Sequence, residues 1–310
     1  MNQKENSIDH AKVIPHKNMT DISLLINQTW QLYKEKLFSC ITVQLVTIVP
    51  ALILAIIVAI IALALAPTLN STTGLLNTIL TIVFILTIIF VIIVAILLGS
   101  WFQSTLMLAV LDQEKLGTFA LYKKGFRYIF AFIWIGIISA LVSLPGFAFL
   151  IIPGIIISVF FQLAHWTMLD KNQFGFDALA KSKSIISSRW WDILARMIII
   201  GIIIYILNAF IGIIVTPIGL TAGIIGLGWI ANIMQGLLSI FVAPLPVIYT
   251  YLIYKNLTEL RPDDSTPQSS KTWMIILAIV GIIIIIGIIL AALAFGIFGT
   301  LLSSDFFQNL

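Results

Sequence analysis

Between residues 37 and 302 the chain returns again and again to apolar runs of membrane-spanning length. About 20 consecutive apolar residues carry an α-helix through the hydrocarbon core of a bilayer. Buried strands and helices of soluble proteins do not need runs of this length. The balance of residues agrees: 60% are hydrophobic and 10% charged, against about 25% charged in a soluble domain. Such a chain has too little polar surface to cover itself in water, and the sequence predicts an all-α, polytopic membrane protein.

The runs read as seven spans. They cover about residues 37–66 and 78–111, a third span that begins near 126, a fourth that ends at 169, then 190–215, 229–254 and 273–302. Residues 1–20 read as a mobile polar tail, 21–260 as a six-helix repeat domain, 261–272 as a linker, 273–302 as an added span and 303–310 as a short tail. Asp21 is placed to cap a helix. After it, Ile22, Leu25, Ile26, Thr29, Trp30 and Tyr33 recur at helical spacing, with Asn27, Gln28, Gln31 and Lys34 largely on the other side. That stretch is either an interfacial amphipathic helix or an extension of the first span. The segments 67–77 and 216–228 read as uncharged turns, and Pro244 and Pro246 as a kink in the sixth span. Between spans three and four, Pro145-Gly146 and Pro153-Gly154 flank an apolar insert. This turn either sits at the outer membrane boundary or re-enters the bundle, since non-helical backbone in an apolar zone needs shielding.

Charge then orients the chain. The first 36 residues hold five Lys/Arg, 112–127 four, 170–196 five and 255–271 three, which accounts for all 17. The loops between these segments hold none. The positive-inside rule places the four segments in the cytoplasm. The expected location is a plasma (inner) membrane, with the N-terminus inside and the C-terminus outside. The formal net charge of +4 is then an orientation signal. It can also attract anionic lipid headgroups, and it makes no case for nucleic acid. The one cysteine, Cys40, excludes an internal disulfide. The apolar run lies after it rather than before it, unlike a lipoprotein signal, and that run exceeds the apolar core of a cleavable signal.

A repeat organises the middle of the chain. Phe102-Gln103, Leu111-Asp112, Gly117 and Ala120-Leu121 recur as Phe161-Gln162, Leu169-Asp170, Gly175 and Ala178-Leu179, at an offset of 58 or 59 residues. Each copy ends a span, turns at the membrane surface and starts a short helix. In the second copy, Phe176, Leu179, Ala180 and Ile186 are expected to face lipid, and Lys181, Lys183 and Ser187 water. Trp190 and Trp191 mark the interface, where amphipathic rings settle. With residues 26–40 in the same slot before span one, the plan is three units of interfacial helix plus hairpin, followed by one extra span.

These residues carry a resemblance. Pro153-Gly154, a span ending in Asp170, Ala178-Leu179 with Ser182, and Trp190-Trp191 resemble the bacterial membrane-domain family that includes the glycerophosphoryl diester phosphodiesterase membrane domain. The resemblance covers roughly residues 21–260 and implies a six-helix domain of unassigned role. In named members that domain precedes a soluble phosphodiesterase barrel. The sequence after Leu260 is too short and apolar to hold one, so phosphodiesterase activity is not expected.

Candidate chemistry is sparse. His10 and His16 lie in the tail; His165 alone lies in a span, five residues before Asp170, and reads as an interfacial group. No clustered metal ligands and no catalytic motif are evident, so no cofactor is expected. Asp192 and Arg196 stand at i and i+4 and can pair on one helix face. Gln103 and Gln162 occupy equivalent depths, and Asn208 is expected near the depth of Asn232 and Gln235. Amides at such depth either bond across helices or line a solute path. The expected function is non-enzymatic, in membrane organisation or as a scaffold at the cytoplasmic leaflet, with the bilayer and an unspecified protein as partners. A transporter or lipid-handling channel is the alternative.

Overall fold

In the computed structural model of the chain, residues 19–71, 75–112, 114, 116–224, 229–260 and 269–303 are described. All regular structure among them is helical. The elements are α1 (Ile22–Ser71), α2 (Leu75–Leu111), α3 (Thr118–Phe126), α4 (Ile129–Phe149), α5 (Ile151–Phe161), α6 (Ala164–Lys171), α7 (Phe176–Ile186), α8 (Trp190–Ile224), α9 (Trp229–Val242), α10 (Pro244–Leu260) and α11 (Ser269–Ser303). Seven helical stretches are long and apolar enough to cross a membrane by length and composition. Three are composite: α5 with α6, α7 with α8, and α9 with α10.

The charged segments gather at one end of the bundle. The Lys36 ammonium donates to the carbonyl of Asp112. The Tyr254 hydroxyl donates to the Asp170 carboxylate (2.7 Å). Lys271 pairs with Asp177, and Thr20 is bound to Asn256. These bonds draw together the start of α1, both repeat loops, the end of α10 and the start of α11. They hold the charged segments at one end of the bundle.

The core lies at that same end. Buried residues include Leu25, Tyr33, Cys40, Val43, Leu106, Leu121, Trp166, Leu179, Ile193, Tyr249 and Tyr254. Beyond it, α1 with α2 and α8 with α9 run on as hairpins. Along α2 and α9 their outer faces are largely exposed, and α9 has no buried residue. Exposed isoleucine and leucine on these helices are apolar surface suited to lipid. The lengths tell the same story. α4 has 21 residues, about 32 Å at ~1.5 Å per residue, close to the ~30 Å hydrocarbon core. α1 has 50 residues, about 75 Å, so it must tilt or protrude.

Several expectations are corrected or resolved. Residues 26–40 form no separate interfacial helix; they are the first turns of a continuous α1, with Asp21 accepting from the Ile22 N–H (2.8 Å) and the Ser23 hydroxyl (2.8 Å) at its start. The expected turns at 67–77 and 216–228 are shorter than expected, because α1 continues to Ser71 and α8 runs through Pro217 to Ile224. Residues 72–74 and 225–228 lie outside the described residues, as do most of the expected tail and linker. Thr20, assigned to the tail, is held by hydrogen bonds. The kink expected in span six is present, at Ala243 between α9 and α10. The Pro145–Gly154 stretch is no loop: α4 continues through Pro145 and Gly146, and only Leu150 is extended (φ −155°, ψ 141°) before α5 begins. The two helices close tightly because a Cβ at Gly146 would stand 2.8 Å from the Gly154 nitrogen, a position that suits only glycine.

The largest correction concerns α7. It does not lie on lipid. Ala178, Leu179, Ala180, Lys181, Ser182, Ile185 and Ile186 are all buried. α4, α5, α6, α10 and α11 all pack around it. The sequence pattern is amphipathic, but the apolar side meets protein and α11 covers part of the polar side.

Candidate functional site

Among the described residues, three cavities lie toward the charged end. The largest, of about 620 Å³, lies between the first turns of α1, the end of α2 and the end of α10. Gln28, Gln31, Glu35 and Lys36 reach it from α1, Asp112 from the end of α2, and Lys255 and Glu259 from α10. The α1 residues fall at i, i+3 and i+7 or i+8, so one helical face supplies them. Both signs of charge are present, and the cavity can hold water or a ligand bearing both.

The second cavity, of about 290 Å³, is where the two repeat copies meet. Asp112, Lys124 and Asp170 line it. Asp112 is already engaged: its carboxylate accepts from the backbone N–H groups of Glu114 (3.1 Å) and Leu116 (2.6 Å), closing the loop into α3. Asp170 accepts from Tyr254 and lies 3.8 Å from the Lys171 ammonium. Both repeat aspartates therefore tie the chain together where it turns.

The third cavity, of about 300 Å³, lies deeper. Gln103, Gln162, His165 and Thr250 line it, with Phe132, Trp166 and Pro246 among its walls. The repeat glutamines are thus brought together, and His165 joins them. The His165 ring lies 3.9 Å from the Phe132 ring, with Nε2 3.4 Å from the Phe132 carbonyl.

The other predicted polar residues do not join this group. Asn208 donates to the Ile204 carbonyl of its own helix (2.9 Å). Asn232 and Gln235 are exposed on α9. None of the three lines the cavity of Gln103 and Gln162. The predicted Asp192–Arg196 pair does not form. Asp192 is exposed, whereas Arg196 is buried and donates to the Thr20 carbonyl (2.8 Å). Thr20 is in turn clasped by Asn256, which donates to its hydroxyl (2.6 Å) and accepts from its N–H (3.3 Å). A buried guanidinium needs acceptors, and Thr20, two residues before α1, provides one. Trp190 is half-buried and donates to the Ile156 carbonyl (3.2 Å), while Trp191 is 76% exposed. Among the described residues no group of three or more His, Cys, Asp or Glu is placed to hold a metal ion.

Sequence reasoning missed the role of Tyr122. Its side chain is buried between α3 and α1, donating to the Val43 carbonyl (2.6 Å) and sharing a hydrogen bond with the Thr47 hydroxyl. Burial pushes the Tyr122 phenol above its ordinary pKa, and the Thr47 bond opposes that shift. No spacing rule links residues 75 positions apart, so the sequence held no signal for this contact.

Fold and site together define an all-α, multi-pass membrane protein whose polar cavities cluster at one end. Comparison with protein-family models, with characterised proteins and with solved structures gives no match.

Proposed function

We propose that the protein is a non-enzymatic, multi-pass protein of a bacterial plasma membrane, acting in membrane organisation or as a scaffold at the cytoplasmic leaflet. The N-terminus then lies inside, and the charged end faces the cytoplasm. What supports this reading is the asymmetry of packing: a dense core with polar cavities at the charged end, and lipid-facing hairpins beyond it. Such a body holds basic residues at one leaflet, where each cation near an anionic surface contributes about 1 kcal/mol. Kinship with the membrane domains of glycerophosphoryl diester phosphodiesterases belongs to the same proposal, and rests on Pro153-Gly154, Asp170, Ala178-Leu179 and Trp190-Trp191.

The transport reading is favoured by one observation, the cavity shared by Gln103, Gln162 and His165. Proteoliposomes separate the two. The organising reading predicts clustering of labelled phosphatidylglycerol around the protein, seen as self-quenching, with no uptake of a labelled solute panel above protein-free vesicles. Uptake abolished by Gln103→Leu and Gln162→Leu would overturn it in favour of transport. Impermeant maleimide applied to intact cells tests the orientation: Ser71→Cys should label and Ser265→Cys should not.

A further inference from the structure

A groove separate from the three polar cavities opens between α1 and α2. Its volume is about 570 Å³. Small residues make the room: Ala51, Ala55 and Ala59 on α1 face Ala95 and Gly99 on α2. Leucine and valine complete the apolar walls. The groove runs from Thr47 to Ala59 on α1 and from Phe102 to Val91 on α2. At ~1.5 Å per residue these stretches measure about 17–18 Å. That is close to half of a ~30 Å hydrocarbon core, one leaflet deep. A transmembrane helix needs a seat across both leaflets; an acyl chain needs one.

The mouth of the groove is polar. Thr47, on its wall, shares a hydrogen bond with Tyr122 of α3. Lys123 follows Tyr122, and Arg127 lies one turn further on; both are exposed. Phe119 (84% exposed) and Phe126 (60%) stand beside them, and Phe126 meets Trp101 edge-on, next to the groove residue Phe102. Exposed aromatic rings interleaved with basic residues, on a short helix at the charged end, suit the level where headgroups meet acyl chains.

We propose that the α1–α2 groove and α3 form a binding site for one anionic glycerophospholipid, with an acyl chain in the groove and its phosphate against Lys123 and Arg127. The proposal rests on the orientation given above, which sets the site in the cytoplasmic leaflet. Charge and leaflet depth select this occupant over a neutral lipid and over a second copy of the chain.

The test is native mass spectrometry of the full chain in detergent. It is titrated with phosphatidylglycerol, and with phosphatidylcholine of the same acyl chains. Phosphatidylglycerol should bind more tightly, with one molecule retained at low lipid. Lys123→Gln/Arg127→Gln should weaken it about twenty-five-fold, at roughly fivefold per cation. Ala55→Leu/Ala95→Leu, which fills the groove, should remove the retained lipid of either kind. The exposed charge variant keeps the test sound if the filled variant fails to fold. Equal binding of both lipids by the native chain, or unchanged phosphatidylglycerol binding in the charge variant, would overturn the site. Tight, variant-sensitive binding without lipid clustering in vesicles would instead sink the organising role and leave the site standing.

Discussion

The helices α3 and α7 occupy equivalent places in the repeat, yet one is bare and the other is enclosed. Both begin after a repeat glycine, and both bury the same leucine, Leu121 at 1% exposure and Leu179 at 0%. Both are stitched to the preceding span by a buried serine, but in opposite senses. Ser104 of α2 donates to the Gly125 carbonyl at the end of α3 (3.1 Å). Ser182 of α7 donates to the Phe160 carbonyl (2.6 Å) and accepts from the Leu163 N–H (3.2 Å), holding the break between α5 and α6. Beyond this, the two diverge. α3 rests on α1 and α2 and leaves Phe119, Ala120, Lys123, Lys124 and Phe126 exposed. α7 is enclosed by further helices, among them α11. From α11, Lys271 pairs with Asp177, and the Trp273 ring lies 4.3 Å under the Lys183 ammonium. The same unit thus makes a surface when nothing covers it and a core when an added helix does.

The largest expected effect tests the likeness. Leu179→Ala should lower the unfolding free energy in mixed micelles by about 2–5 kcal/mol, the range for a buried leucine. Leu121→Ala should fall in the same range. A near-neutral result at either leucine would break the equivalence of the two slots.

A smaller pair tests the difference. Ala178 is fully buried, whereas its counterpart Ala120 is exposed. Ala178→Leu should cost about 1–3 kcal/mol through overpacking, and Ala120→Leu should stay within about 0.5 kcal/mol. Equal losses in the same titration would mean that α3 is covered too.

The smallest effect tests the cover itself. Lys271 and Asp177 are both partly exposed, so Lys271→Ala should cost no more than about 1 kcal/mol. A loss of several kcal/mol would show that this pair, rather than apolar packing, holds α11 in place.

The sequence made the architecture legible because its strongest signals are long-range only in length. Apolar runs fix the spans, and the placement of 17 Lys/Arg fixes which loops share a side. The repeat gives Gln103 and Gln162 equal depth, but that both line one cavity follows from the packing of the helices and not from the sequence. The amphipathic pattern of α7 is real, but it does not mark a lipid-facing surface, because its apolar side is buried against protein. Hydropathy marks Lys183 as solvent-facing because it cannot register a helix 90 residues downstream whose Trp273 folds back over it; Lys181 is buried where α7 packs among its neighbours. Arg196 misled for a related reason. Its local partner Asp192 was visible at i−4, whereas its actual acceptor, the Thr20 carbonyl, is 176 residues away.

Cysteine accessibility of the two short helices measures the contrast most directly. In a Cys40→Ser background, Lys123→Cys on α3 should react readily with a bulky impermeant maleimide in permeabilised vesicles. Lys181→Cys on α7, where lysine is 4% exposed, should stay protected in the full chain. Equal labelling of both positions in the full chain would contradict the enclosure of α7 and the division of roles between the two copies.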